Sequence, residues 1–306
     1  MNKRILVTGG AGFVGSHICE QLVSKEYKVV ILDDFSTGTM DNIRHIKNKI
    51  EIIEGGITFI EDVEKALSGV DYVIHEAAIV SVADSIKDPE KCYEINVEGT
   101  KNVLNLCAEK KIKKVVLASS AAVYGDSTPP IKETEQTKPI SPYGISKLMN
   151  EQTASWFSTK YNLPTICLRY FNIYGPRQDP GSSYAGVISK FIDCVKNDKN
   201  PIIFGDGSQT RDFIYVKDVA RATILAMESN LSNVNLNIAT GKQTSINTLF
   251  STIKKILHSD INPKNENERI GDIKYSYADV NMAKELLKFK AEYNLEQGLK
   301  EMLEPQ

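Results

Sequence analysis

The stretch RILVTGGAGFVGSHICEQL, residues 4–22, decides the fold. An apolar, β-branched run is followed by a cluster of glycines and then by an amphipathic run typical of a helix. Gly10, Gly12 and Gly15 have the spacing G-x-G-x-x-G, and Gly9 adds a second glycine frame with Gly12 and Gly15. Glycines at such a turn let backbone N–H groups approach a pyrophosphate at the start of the helix. The stretch therefore predicts a dinucleotide-binding loop.

Two acidic residues strengthen this prediction. Asp33 and Asp34 end the next apolar run, VVILDD, at the distance from the loop where a carboxylate binds the adenosine ribose hydroxyls. Two carboxylates would repel the 2′-phosphate of NADP, so we expect NAD as the cofactor. The alternative, glycines that only form a tight turn, leaves the strand, helix and acid order unexplained.

The rest of the chain continues this alternation of short apolar strands and amphipathic helices. Such a pattern predicts an α/β fold, a doubly wound Rossmann-type parallel sheet covered on both faces, with a smaller C-terminal substrate-binding region. We assign residues 1–168 and 213–241 to the NAD-binding domain and residues 169–212 and 242–306 to the nucleotide-sugar-binding domain. Predicted strands are 4–8, 28–32, 50–53, 71–77, 113–119, 165–170, 201–204 and 234–238, and predicted helices are 12–25, 61–67, 89–110, 142–161, 184–197, 216–228 and 246–257.

Composition narrows the classes of function. The 306 residues carry a formal net charge of −2, which argues against nucleic acid as a partner. No apolar run approaches the roughly 20 residues that span a bilayer, so no membrane is expected. The five cysteines include no CxxC pair, which is typical of reduced thiols in a cytoplasmic protein. The four histidines show no metal-ligand spacing, and no metal is expected.

A serine, a tyrosine and a lysine form the candidate catalytic set. Ser141 and Pro142 read as the start of a helix, which places Tyr143 and Lys147 one turn apart on the same face. Ser120 ends a predicted central strand, where doubly wound sheets bind their ligands. A tyrosine has a pKa of about 10. A nearby ammonium and a positive nicotinamide ring are expected to lower the pKa of Tyr143 toward neutrality.

These motifs together resemble the extended short-chain dehydrogenases/reductases, specifically the nucleotide-sugar epimerase/dehydratase family. The resemblance runs over nearly the whole chain in family order. It implies NAD as a bound catalyst, a nucleotide sugar as substrate and a homodimer. The segments that carry it are TGGAGFVGSH, HEAA, SSAAVYG, SPYGISK, RYFNIYGPRQDP, FGDGSQTRDFIYVKDV and GDIKYSYAD.

Two alanines favour one reaction within this family. In related dehydratases and decarboxylating enzymes, acidic residues follow the strand-end serine or threonine, and here Ala121 and Ala122 stand there. The resemblance then implies 4-epimerisation of a UDP-hexose through a transient 4-keto sugar. Tyr143 acts as base and then acid, Lys147 as its electrostatic partner and Ser120 as hydrogen-bond partner of the sugar oxygen. Ser119 is a second candidate for that last role. A dehydratase, a reductase and a non-catalytic NAD-binding regulator are the alternatives.

The resemblance also implies the two sets of binding residues. Ser276 stands where a tyrosine narrows the pocket of glucose/galactose-restricted relatives, so we expect space for an N-acetyl group and relaxed specificity. Gly56 stands where relatives have an aspartate on the adenine. Arg177 is equally compatible with a surface ion pair and a role in the site. The cofactor set is Gly9, Gly12, Phe13, Val14, Gly15, Asp33, Asp34, Ile57, Ala77, Ala78, Asn96, Tyr143 and Lys147, and the substrate set is Ser81, Ser120, Asn172, Gln178, Arg211, Arg269, Asp272 and Ser276.

Overall fold

The computed structural model describes residues 3–178, 186–268 and 273–303. The strands are β1 (Arg4–Thr8), β2 (Lys28–Asp33), β3 (Ile50–Glu54), β4 (Tyr72–His75), β5 (Lys114–Ser120), β6 (Thr165–Tyr170), β7 (Asn172–Tyr174), β8 (Ile202–Phe204), β9 (Thr210–Arg211), β10 (Phe213–Tyr215), β11 (Val234–Ile238), β12 (Thr244–Ser245) and β13 (Lys264–Glu266).

Helices connect and cover these strands. They are α1 (Phe13–Ser24), α2 (Met40–Ile43), α3 (Ile60–Ala66), α4 (Val82–Lys87), α5 (Pro89–Tyr93), α6 (Thr100–Glu109), α7 (Pro142–Tyr161), α8 (Val187–Lys196), α9 (Val216–Glu228), α10 (Ile246–Ile256), α11 (Asn281–Leu286) and α12 (Leu295–Leu303). A π-helical segment, Glu94–Gly99, joins α5 to α6.

Seven strands form one parallel sheet in the order β11-β6-β5-β4-β1-β2-β3. Successive residues of β1 alternate between two cores: Ile5 packs with α1 and α9, and Leu6 packs with α3, α6 and α7. Both faces of the sheet are therefore buried, which is why its central strands are largely apolar, whereas the edge strand β3 is partly exposed. The predicted doubly wound fold class is confirmed.

The strand order reverses between β1 and β4. In open α/β sheets, ligands bind beyond the carboxyl ends of the strands at such a point. This arrangement brings the glycine loop after β1, the residues after β4 and the end of β5 to one edge of the sheet. The site below is built at that edge.

Several predicted elements agree closely with the structure, and others differ. Strands β1, β6 and β11 and helices α7 and α9 have the predicted bounds. The single helix predicted over 89–110 contains a π-helical segment. The predicted strand 201–204 becomes β8, which pairs with β13 outside the main sheet. The sequence did not predict helices α2, α4, α11 and α12. Within the described residues, no helix is both long and apolar enough to cross a membrane.

Candidate active site

The glycine loop after β1 is shaped by close backbone approaches. Gly9 has a φ of +67°, and a Cβ atom there would lie 2.8 Å from the amide nitrogen of Ala77. A Cβ atom on Gly15 would overlap the carbonyl oxygen of Gly9. Gly12, in extended conformation, precedes α1, whose first backbone N–H groups have no intrahelical acceptor. The loop thus lacks side chains at its closest approaches and leads into the first N–H groups of α1, which fits a dinucleotide pyrophosphate.

Asp33 braces this loop from the end of β2. Its carboxylate accepts hydrogen bonds from the backbone N–H of Ala11 at 2.8 Å and of Phe35 at 2.9 Å. Burial raises the pKa of Asp33, and these two hydrogen bonds oppose that effect. The exposed Asp34 accepts from Ser36 instead. Both acids lie at the carboxyl edge of the sheet, where the prediction put the adenosine ribose.

The loop after β3 contains Gly56, which stands where the family resemblance leads us to expect an aspartate. The backbone N–H of Gly56 donates to Oδ2 of Asp62 at 3.0 Å. A Cβ atom on Gly56 would lie 3.2 Å from the ring of Phe59, whose side chain is 63% exposed. An acid and an exposed aromatic ring thus flank the position that lacks a side chain. Ile57 is buried and packs under Gly99.

Helix α7 holds the tyrosine and lysine as predicted. The Ser141 hydroxyl accepts a hydrogen bond from the Gly144 N–H at 3.1 Å, and Pro142 is the first helical residue. Ser120 ends β5. Its hydroxyl accepts a hydrogen bond from the Ala122 N–H at 3.1 Å and lies close enough to the Tyr143 phenol to oppose the rise of its pKa. The Lys147 ammonium lies 5.8 Å from the centroid of the Tyr143 ring. The structure therefore brings the three predicted catalytic residues together.

Burial dominates the pKa values of this set in the chain alone, and the lowering of the Tyr143 pKa expected with a bound nicotinamide ring stays a prediction. Burial raises the pKa of Tyr143 to about 12, although the hydrogen bond from Ser120 opposes this shift. Burial also lowers the pKa of Lys147 to about 8. In the chain alone, desolvation outweighs the attraction between ammonium and phenolate. A further positive charge at the site would lower the pKa of Tyr143.

Ser119 belongs to a separate buried network. Its hydroxyl donates to Oε1 of Glu151 at 2.6 Å, and Arg169 donates to both carboxylate oxygens of Glu151 at 2.8 and 2.7 Å. Arg169 also donates to the Tyr124 hydroxyl at 2.8 Å. Ser119 thus points into the core beneath the site, which favours Ser120 for the contact with the sugar.

Several predicted cofactor residues lie around the glycine loop. The Ala77 N–H donates to the Thr8 hydroxyl at 3.3 Å, and Ala78 follows it at the sheet edge. Phe13 and Val14 are partly buried at the start of α1. Asn96 is fully buried.

The Asn96 amide makes its hydrogen bonds within the protein. It accepts from the Ile79 N–H at 2.7 Å and donates to the Ile79 carbonyl at 2.9 Å and to the Ser146 hydroxyl at 3.0 Å. These bonds fix the loop after β4 against α7. Ser81 is buried, and its hydroxyl accepts from the Asp84 N–H at 3.0 Å to cap α4. Both side chains therefore shape the loop that borders the site.

The substrate residues gather on the strands that follow Ser120. Asn172 is exposed at the start of β7, which pairs with β10. Arg211 on β9 donates to the backbone carbonyls of Thr210 at 2.8 Å and Ile273 at 2.7 Å. The Ser276 N–H donates to the Thr210 carbonyl at 3.2 Å. These three predicted residues thus lie on adjoining segments.

The other residues considered for substrate binding contact different elements or lie outside the described residues. The Gln178 amide oxygen accepts a hydrogen bond at 2.9 Å from the hydroxyl of Ser189, a residue of α8. Arg177, with a φ of +68°, donates to Glu20 at 2.7 Å on α1 and ties the loop after β7 to the first helix. Arg269 and Asp272 lie outside the described residues.

One acidic residue at the site was not selected from the sequence. Glu76 follows β4, and Oε1 of its carboxylate accepts a hydrogen bond from the Tyr170 hydroxyl at 2.9 Å. Burial raises the pKa of Glu76 to about 7. The sequence signal was present, since Glu76 is the acid in the HEAA segment, at the carboxyl end of the predicted strand 71–77. The preceding His75 is a packing residue that bonds Thr8 and Thr100 at 2.7 and 2.9 Å.

Comparison with known proteins matches this arrangement to one family. The model of the NAD dependent epimerase/dehydratase family matches residues 5–239. A curated relative from Methanocaldococcus jannaschii, a putative UDP-glucose 4-epimerase, is 42% identical over 98% of this chain and 97% of its own length.

Solved structures give the same result. A UDP-N-acetylglucosamine 4-epimerase from Methanobrevibacter ruminantium, in complex with UDP-N-acetylmuramic acid, is 42% identical, with a TM-score of 0.94 and coverage of 98% of this chain and 97% of that one. A UDP-glucose 4-epimerase from Thermus thermophilus, in complex with NAD, is 31% identical, with a TM-score of 0.90 and the same coverage.

Proposed function

The chain belongs to the NAD dependent epimerase/dehydratase family, and we propose that it interconverts the C4 epimers of a UDP-hexose. The observation that carries the proposal is the set of Ser120, Tyr143 and Lys147, assembled beside a glycine loop that fits a dinucleotide and followed by Ala121 and Ala122. The relatives named above support this choice of reaction.

The roles of the chain's residues follow from their positions. When bound, NAD supplies reversible oxidation of the alcohol at sugar carbon 4. The Tyr143 phenolate takes the proton of the 4-hydroxyl, and the resulting phenol later returns it. Ser120, whose hydroxyl lies beside the Tyr143 phenol, donates to the sugar oxygen as charge develops there.

Lys147 supplies charge rather than a proton. Its ammonium donates to the Ala118 carbonyl at 3.0 Å, which fixes it beneath the ring of Tyr143. Since the pKa of Tyr143 is about 12 in the chain alone, Lys147 and a cationic cofactor ring together must favour the phenolate. This requirement couples proton abstraction to the presence of the oxidised cofactor.

Epimerisation is favoured over the other reactions by the residues next to Ser120. Elimination of water from a keto sugar needs a positioned acid and base, and two alanines occupy those positions in this chain. Return of the hydrogen to the other face of the sugar needs no further group. A non-catalytic regulator is disfavoured by the intact catalytic set.

The residues that we assign to substrate binding support a UDP-sugar as substrate, with space around the hexose. Asn172, Arg211 and, outside the described residues, Arg269 and Asp272 are our assignments for the nucleotide and its diphosphate. Ser276 replaces a bulkier side chain, so both plain and N-acetylated hexoses fit the proposal. We assign residues 1–168 and 213–241 to cofactor binding and the rest of the chain to the sugar nucleotide.

A homodimer and a cytoplasmic location complete the proposal. Ile145, Met149 and Trp156 are 38%, 40% and 52% exposed on α7, and contiguous exposed apolar side chains mark interaction surfaces. A second copy of the same helix would cover them about a two-fold axis. The five cysteines are free thiols, which supports a reducing compartment.

Proton NMR of two separate reactions tests the function. Purified protein without added cofactor is incubated with UDP-galactose or with UDP-N-acetylgalactosamine, and the anomeric signals report the gluco epimers. Conversion of both substrates is expected. Conversion that starts only after NAD is added would support the same reaction with weaker retention. No conversion of either sugar with NAD present would overturn the proposal.

A further inference from the structure

Glu76 lies between the glycine loop and the catalytic set. It directly follows β4, and its carbonyl carbon is 3.1 Å from the position that a Cβ atom on Gly9 would take. The backbone of Glu76 therefore touches the loop that fits the pyrophosphate. Its side chain extends from the carboxyl edge of the sheet, where the cofactor and the reacting sugar must meet.

A hydrogen-bond chain holds the Glu76 carboxylate in place. The Tyr170 hydroxyl donates to Oε1 at 2.9 Å and lies 2.8 Å from Oγ1 of Thr223. Tyr170 ends β6 and is 8% exposed, and Thr223 on α9 is fully buried. Because both partners belong to the packed core, this carboxylate has a fixed position and is not a mobile surface acid.

The charges around Glu76 are unevenly distributed. The titratable groups that face it are Lys147 and Tyr143 on α7, Cys19 on α1 and Tyr170 on β6. Burial raises the pKa values of the Cys19 thiol and of Tyr170, so both are neutral near pH 7. Lys147 is then the one cation in this set, and it attracts Glu76 while Tyr143 stays protonated.

The two redox forms of a nicotinamide dinucleotide differ by one unit of charge at the ring, which is cationic when oxidised and neutral when reduced. A fixed carboxylate beside the ring favours the oxidised form by Coulomb attraction. Lys147 alone would favour the reduced form. The balance between Glu76 and Lys147 thus bears directly on which form the site retains.

We propose that Glu76 is the residue that makes this site prefer NAD in its oxidised form over its reduced form. The inference rests on the NAD chemistry of the proposed function. An enzyme that keeps its cofactor through each turnover can begin only from the oxidised form. A preference for NAD over NADH therefore keeps the resting enzyme ready for a new sugar.

Competition between the two nucleotides measures this preference. The protein is equilibrated with equimolar NAD and NADH, separated from free nucleotide, and the bound nucleotides are quantified by chromatography. We expect E76Q to shift the ratio of bound NAD to bound NADH by about tenfold toward NADH, the size expected for one screened unit charge. The matched control E64Q, on the exposed side of α3, should keep the wild-type ratio.

The wild-type protein supplies a second, mutation-free test. The pKa of Glu76 is about 7, so lowering the pH from 7.5 to about 6 protonates it and should shift the wild-type ratio toward NADH. The ratio in E76Q should change much less over that range. Lys147, with a pKa of about 8, gains the last part of its charge between these pH values, and E76Q measures that contribution separately.

Each outcome decides the inference. An unchanged ratio in folded E76Q overturns it, as does a flat wild-type pH series if E76Q does not fold. If neither nucleotide binds, it falls together with the proposed cofactor site. A shifted ratio in a protein that epimerises no UDP-hexose would support the inference and overturn the proposed function.

Discussion

The hydroxyl of Ser119 donates to the carboxylate of Glu151 at 2.6 Å, deep beneath the sheet edge. The next residue, Ser120, points the other way, toward Tyr143. Alternation along β5 thus separates two neighbouring serines into a core residue and a site residue. Their substitutions should have different effects.

Replacing Ser120 with alanine should impair catalysis with little effect on folding. We expect S120A to lower kcat about 10²- to 10³-fold, since it removes a donor to the reacting oxygen. S119A should lower the free energy of unfolding by about 1 kcal/mol and keep most of the activity. Steady-state kinetics and urea unfolding of both variants distinguish the roles. Equal losses of kcat, with S119A fully folded, would contradict this separation.

Alanine substitutions at Gly9 and Gly69 test the role of the glycine loop, because Gly69 lies outside the loop and serves as the control. Both have a positive φ, +67° and +65°, so alanine strains either backbone by about 1–2 kcal/mol. Only at Gly9 does the added methyl group meet another backbone closely, because the nearest atom at Gly69 is 4.0 Å away. Calorimetric titration with NAD should show binding at least about tenfold weaker in G9A and unchanged in G69A. Equal affinities in the two variants would remove the loop from the cofactor site.

A tyrosine at position 276 should restrict the sugar pocket. We expect S276Y to reduce kcat/KM for UDP-N-acetylgalactosamine about 10- to 200-fold, the range that steric exclusion of a small group gives. UDP-galactose turnover by the same variant is the internal control and should change much less. Parallel losses for both sugars would show that Ser276 does not border the N-acetyl group.

The exposed face of α7 should control the oligomeric state. M149E and W156E place charges among the exposed apolar side chains and should convert a dimer to a monomer in light scattering. I202E, at a 43% exposed position on β8, is the control and should leave the mass unchanged. A wild-type protein with the mass of a monomer would contradict the dimer directly.

Glu76 should also make stability depend on pH. Its pKa is raised from 4.5 to about 7, so the folded state binds more protons than the unfolded state between these values. Its contribution to stability is full below pH 4.5 and is lost as the pH rises through 7. Relative to E76Q, the wild type should therefore lose on the order of 2 to 3 kcal/mol between pH 4.5 and 7.5. Urea unfolding at several pH values measures the difference, and parallel pH profiles would exclude a raised pKa.

Local signals explain why much of the fold was predictable. The bounds of α7 follow from Ser141 as cap and Pro142 as first residue, both adjacent in sequence. The parallel sheet follows from apolar strands separated by helices, a pattern that needs no knowledge of distant contacts. Tyr143 and Lys147 meet because they are one helical turn apart.

The parts that could not be predicted depend on contacts between distant residues. Ser119 binds an acid 32 residues away, and Glu76 binds a tyrosine 94 residues away. The burial that raises the pKa of Tyr143 in the chain alone is likewise visible only in the folded structure, and the lowering expected with a bound nicotinamide ring stays a prediction. The π-helical segment that carries Asn96 has no distinct sequence signal.

The double use of Asp33 limits how this enzyme lineage can change. The carboxylate that would exclude a 2′-phosphate is also the acceptor that holds Ala11 in the glycine loop. A substitution that admits the phosphate would therefore loosen the loop that we propose binds the rest of the nucleotide. Intermediates on a stepwise route to NADP would be weak binders of either cofactor. A switch in cofactor requires a second, compensating change in the loop, which makes the preference evolutionarily stable.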